Sequence, residues 1–132
     1  MRRFLWCWIL IALSLVLGDA ARAATVEDAI AAYKRKDYAS ALSLFRSLAE
    51  AGDPRAQNDL GAMYSKGDSV PQDYAEAVKW HRRAAEQGYP QAQTNLGVMY
   101  SYGQGVPQDY AEAVKFGSLL SKATPTRYTL SV

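Results

Sequence analysis

The chain holds a single histidine, His81, and a single cysteine, Cys7. That is a small stock for nucleophilic or metal chemistry. Zinc sets of the usual kind draw on several histidines or thiolates, and no second histidine exists here. His81 follows Trp80 in a stretch with helical spacing, and the matching position 36 residues later is Gly117. A lone helical histidine reads as a solvated side chain in preference to a catalyst. Neither G-x-S-x-G nor S-x-x-K occurs, which removes two serine-nucleophile signatures. The stretch "GQGVPQ" (103–108) resembles a phosphate loop only in its glycines. It joins two helical segments and carries no lysine, so the glycines are turn residues. Asp68 and Asp73 do not follow the calcium-loop pattern, and Asp73 reads instead as a helix cap. The expectation is a non-enzyme with no cofactor and no metal.

The elements that must position any site are set by a repeat. "VPQDYAEAVK" stands at 70–79 and again at 106–115. Residues 54–79 laid over 90–115 agree at 19 of 26 positions, and 37–52 over 73–88 at 8 of 16. Asp37, Asp73 and Asp109 mark the same point of three units spaced 36 apart. A period of this length with helical content signals stacked helix pairs, because no single pair can bury its own apolar face. The fold expected is all-α: an α-solenoid of three antiparallel helix hairpins, the last one degenerate.

Local signals divide each unit in two. In the middle unit Asp53 is a good N-cap and Pro54 suits the first helical position. Ala56, Leu60, Met63 and Tyr64 then recur at helical spacing, and Gly67 can end the helix in the left-handed conformation. Asp73 caps a second helix, expected to run to Gln87 before Gly88, with Ala75, Val78, Trp80, Ala84 and Ala85 as its packing surface. Gly61 and Gly97 sit mid-helix, where close helix–helix approach is the expected compensation. In the first unit Thr25 and Asp28 suggest a capping box, and "KRK" makes a tight turn. The recurring Tyr64 and Tyr100, Tyr74 and Tyr110, and Trp80 with Phe116 read as filling between helices.

The first residues have the pattern of a secretory signal: Arg2 and Arg3, the apolar run "FLWCWILIALSLVLG" (4–18), then Ala21 and Ala23 before a cut after Ala23. The alternative is an uncleaved anchor, but fifteen residues are short for a span of about 20. Of 15 basic and 13 acidic residues, Arg2, Arg3, Arg22 and Asp19 fall in this segment, leaving 12 of each. The remainder is formally neutral, so its charge gives no reason to expect nucleic acid. It also lacks thiols, and with them any disulfide framework. The division expected is 1–23 signal, 24–122 repeat domain (units about 25–52, 53–88 and 89–122) and 123–132 irregular tail. The location expected is periplasmic or secreted, with membrane contact only through the signal if uncleaved.

The pattern A-x-x-x-L-G-x-x-Y, G-x-x-V-x-x-D-x-x-x-A and A-A-E-x-G resembles the Sel-one-like repeat, a relative of the tetratricopeptide repeat. It falls on Ala56, Leu60, Gly61, Tyr64, Gly67, Val70, Asp73, Ala77, Ala84, Ala85, Glu86 and Gly88. The next copy carries Ala92, Leu96, Gly97, Tyr100, Gly103, Gly105, Val106, Asp109 and Ala113. The first unit, with Tyr33, Asp37, Tyr38, Ala41, Leu42 and Phe45, is nearer a plain tetratricopeptide hairpin. The resemblance implies a right-handed α-superhelix and a protein-binding scaffold, often exported in bacteria. Ser69 departs from the family's second loop glycine, and after Lys115 the pattern lapses, with the last helix expected to end near Lys122. Cysteine-rich exported relatives have been described as β-lactamase-like. A secreted hydrolase is therefore the alternative function, disfavoured because the paired cysteines and catalytic motifs are absent.

The seven mismatches between the long copies fall at 55, 58, 59, 62, 66, 68 and 69. The first five share one arc of the first helix. In stacks of this kind that helix lines the concave surface. The candidate partner-binding residues are thus Arg55, Asn58, Asp59, Ala62, Lys66, Gln91, Thr94, Asn95, Val98 and Tyr102, expected to take a protein or extended peptide. The competing explanation is that solvent-facing positions drifted after duplication. The ending Leu130-Ser131-Val132 could also add as a strand to a PDZ-like groove, a weaker signal.

Overall fold

Capping chemistry sets where each helix starts. In the computed structural model, which describes residues 23–123 and side chains as far as Gly117, Thr25 opens α1 (Val26–Lys34) with a full capping box to Asp28. Asp37 accepts from the Ser40 N–H to open α2 (Tyr38–Glu50). Asp53 accepts from the Ala56 N–H at 2.9 Å before α3 (Pro54–Lys66), whose first residue is the proline. Asp73 does the same for α4 (Tyr74–Glu86) through the Glu76 N–H. Tyr89 precedes α5 (Pro90–Tyr102) without a side-chain cap. Asp109 accepts from the Ala111 and Glu112 N–H groups at the start of α6 (Tyr110–Ala123). Each side-chain cap contributes about 1 kcal/mol by satisfying an orphan N–H. The expected signal segment as far as Arg22 and the expected tail beyond Ala123 lie outside the described residues.

Helix ends follow the same local logic. Gly67 and Gly103 stop α3 and α5 at φ of 80° and 64°, a conformation that costs a side-chain-bearing residue about 1 kcal/mol or more. Ser69, at φ 64°, occupies that region without being glycine, whereas Gly105 fills the equivalent place in the next unit. The first unit closes through a short turn with Lys36 at φ 63°.

The six helices form three antiparallel hairpins in an α-solenoid, with no strand among the described residues. Each helix packs chiefly on its chain neighbours. Alanine dominates the seams: Ala29, Ala41, Ala56, Ala77, Ala84 and Ala92 are fully buried, and their small side chains let helix axes come close. Larger groups fill the gaps, with Phe45, Leu60, Met63 and Trp80 in one cluster and Val78, Leu96 and Met99 in the other. Ala75, expected in the packing surface of α4, is exposed, and Ala77 takes its place. The shift of two residues turns the helix by about 200°.

Stacking, not composition, decides what is buried. Val78 and Val114 belong to identical decapeptides, yet Val78 is 4% exposed and Val114 69%. Helix α5 covers the first; no described helix follows α6 to cover the second. Tyr110, expected as inter-helix filling, is exposed for the same reason.

Candidate functional site

The first helices of the hairpins, α1, α3 and α5, lie side by side and share polar contacts. Arg55 on α3 pairs with Glu27 on α1 at 2.9 Å. Tyr33 on α1 donates its hydroxyl proton to Asp68 at 2.6 Å and accepts from Lys66 Nζ at 3.3 Å. The hydrogen bond to Asp68 is the main reason the Tyr33 phenol is harder to ionise than usual. Asn95 on α5 donates to Asn58 Oδ1 on α3 at 3.0 Å.

Asn58 sits at the centre of a buried network. Its Nδ2 donates to Asp59 Oδ1 at 3.3 Å, which fixes the amide so that Oδ1 faces His81 Nδ1, 3.2 Å away. Since Oδ1 can only accept, Nδ1 must carry the proton and Nε2 is left as an acceptor. His81 is 2% exposed, and burial pulls its pKa down to about 4 from 6.5. It is therefore neutral at physiological pH. Burial also pushes the Asp59 carboxyl above its usual range.

This corrects the expectation of a solvated His81. The ring lies flat against Gly61, where an added Cβ would stand 2.9 Å from His81 Cε1. The mid-helix glycine is the space the imidazole needs. The sequence did carry a signal: His81 falls one turn after Ala77 and one turn before Ala84 and Ala85, all on the buried face of α4.

The ten candidate residues differ in how they are placed. Arg55, Lys66, Gln91, Thr94, Val98 and Tyr102 are exposed, and Asp59, Ala62 and Asn95 are partly so. Asn58 alone is buried, at 7% exposure, because α4 brings His81 over it. Three cavities lie along α3 and α5. One of about 320 Å³ joins Arg55, Asp59, Ala62 and Lys66 to Ile30, Tyr33, Phe45 and Met63. A second, about 210 Å³, joins Ala62, Lys66, Asn95 and Val98 to Ser65, His81, Met99 and Gln104. The third, about 310 Å³, brings Thr94 and Val98 together with residues of α6. Sequence reasoning missed the contributions of Ile30, Tyr33 and His81. Their place at these cavities depends on which helix lies beside them.

Among the described residues no group of three His, Cys, Asp or Glu side chains is placed to hold a metal ion. None of the described helices is long and apolar enough to cross a membrane.

A family model described as Sel1 repeat matches residues 31–53, 54–89 and 90–122. Among solved structures, a Sel1 repeat protein from Oxalobacter formigenes is similar, with a TM-score of 0.70 and 35% identity over 75% of this chain. So is c5321, a protective antigen present in uropathogenic Escherichia coli strains and displaying an SLR fold, with a TM-score of 0.71 and 40% identity over 81% of this chain. The match spans only 40% of the first of these chains and 25% of the second. No curated protein matches the sequence significantly.

Proposed function

The chain belongs to the Sel1 repeat family, and from that premise we propose that it is an exported, non-enzymatic scaffold holding a protein or peptide partner on the concave face lined by the first helix of each hairpin. The family's repeat is generally a protein-interaction scaffold, which supports the class of function. The face is supported by one observation above the rest. Seven of the ten varying residues, Arg55, Asp59, Ala62, Lys66, Thr94, Asn95 and Val98, line successive cavities along α3 and α5. Amide, cationic, aliphatic and aromatic groups alternate along it, a mixture suited to an extended polypeptide with varied side chains.

The buried imidazole favours scaffold over hydrolase. The ring hydrogen bond of His81 goes to Asn58 Oδ1; Ser65 lines the same cavity, but no Ser65–His81 hydrogen bond occurs among the described residues. Affinity capture from envelope extract, using the protein and a Lys66→Glu/Tyr102→Ala variant, tests the reading. Both side chains are exposed, so the variant is expected to keep its helicity and lose the captured partner. Equal capture by the two proteins would refute the assignment. Export belongs to the same proposal: N-terminal sequencing of the protein from the envelope is expected to begin at Ala24, and an intact Met1 would contradict it.

A further inference from the structure

Two of the cavities are built on matching positions of successive units. The smaller, about 210 Å³, is lined by His81, Asn95, Val98 and Met99. The residues 36 positions earlier are Phe45, Asp59, Ala62 and Met63, and all four line the larger cavity of about 320 Å³. Ile30 and Tyr33 of α1 complete that cavity on one side, and Arg55 and Lys66 of α3 on the other.

The difference between Asn95 and Asp59 decides what each cavity lacks. Asn95 donates its amide proton to Asn58 Oδ1 at 3.0 Å, so it is answered from within the protein. Asp59 accepts from Asn58 Nδ2 at 3.3 Å; among the described residues it has no further hydrogen bond and no ion pair. The two cations that share its cavity are engaged elsewhere. Arg55 pairs with Glu27 at 2.9 Å, and Lys66 Nζ meets the Tyr33 hydroxyl, whose proton goes to Asp68. Arg55 and Lys66 thus stand against Glu27, Asp59 and Asp68, and the excess charge is negative. Its seat is Asp59, partly buried beside the apolar side chains of Ile30, Phe45 and Met63. A carboxylate withdrawn from water gains more from a cation of its own than an exposed one does, because the attraction is less screened.

We propose that this cavity between α1 and α3 receives a long basic side chain, arginine or lysine, from the partner polypeptide, its methylenes on Ile30, Ala62 and Met63 and its cationic head at Asp59. Basic side chains divide in this way between an apolar stem and a charged tip. An aliphatic occupant would desolvate Asp59 further without pairing it, and an acidic one would add to the excess charge. The next cavity along, with a neutral and already bonded Asn95, makes no such demand, so the basic residue has one place in the groove. The inference rests on the partner-binding reading for the origin of the side chain, but the cavity can be tested by itself.

The test is an NMR titration of the isotopically labelled protein with butylguanidinium, and with pentanoate and 1-butanol as anionic and uncharged controls of similar length. Butylguanidinium is expected to give saturable shifts at the Ile30 and Met63 methyls and at the Asp59 carboxyl carbon. In Asp59→Asn, which installs the residue found at position 95, its binding is expected to weaken by about tenfold or more. Absence of saturable shifts, equal affinity for either control, or undiminished binding in a folded Asp59→Asn protein would overturn the proposal. Undiminished partner capture by Asp59→Asn would overturn it as well, while leaving the scaffold reading standing. Saturable, Asp59-dependent binding of butylguanidinium by a protein that captures no partner would uphold the pocket and remove the scaffold reading.

Discussion

At the residue scale, His81 links packing to pH. Its pKa of about 4 in the fold lies below the ordinary 6.5, so the unfolded chain takes up the proton first as pH falls. The stabilisation is complete above about pH 6.5 and is lost as pH drops toward 4, amounting to about 3 kcal/mol over that window. Asp59, whose carboxyl is raised by burial, binds its proton more readily in the fold and offsets part of the loss at the acid end. Urea unfolding at pH 7 and pH 4.5 is expected to show this decline, and His81→Gln to flatten it. Residue roles were only partly legible in the sequence. Caps such as Thr25, Asp53 and Asp73 act within three residues of themselves, and their types and positions announced them. Asn58 and His81 are set by contacts 23 residues apart, and nothing local to either one reveals the other.

At the scale of elements, the mid-helix glycines govern how closely hairpin partners approach. A methyl at Gly61 would press on the His81 ring at 2.9 Å, whereas one at Gly97 meets the Ala113 carbonyl oxygen at 3.3 Å. Gly61→Ala is expected to destabilise the protein by roughly 1–3 kcal/mol through overpacking. In a His81→Ala background most of that cost should vanish, giving a coupling that a double-mutant cycle by denaturant titration will measure. Additive effects would mean that the ring and the glycine do not meet. That close approach was readable from the glycines' mid-helix positions. The group that uses the space was not, because the two copies use it differently, with a histidine opposite Gly61 and Gly117 in the matching place opposite Gly97.

For the whole molecule, the repeat foretold the architecture almost completely: the period gave stacked hairpins, and the matched residues gave the seams between them. It could not show the exposure of Val114 and Tyr110, since burial in a stack belongs to the neighbour and not to the sequence that is buried. The proposal of a binding face starts from differences between copies: packing holds the seams alike, and among the varying residues Asn58 alone is buried. The most direct test exchanges the exposed ones. Gln91→Arg, Thr94→Asn, Val98→Ala and Tyr102→Lys, all at exposed positions, together give α5 the outer part of the α3 stripe while keeping the Asn95 hydrogen bond to Asn58. Titration calorimetry with the captured partner is expected to show affinity falling by about tenfold or more, with the helical circular dichroism unchanged. An affinity that survives the exchange intact would contradict the claim that this face holds the partner.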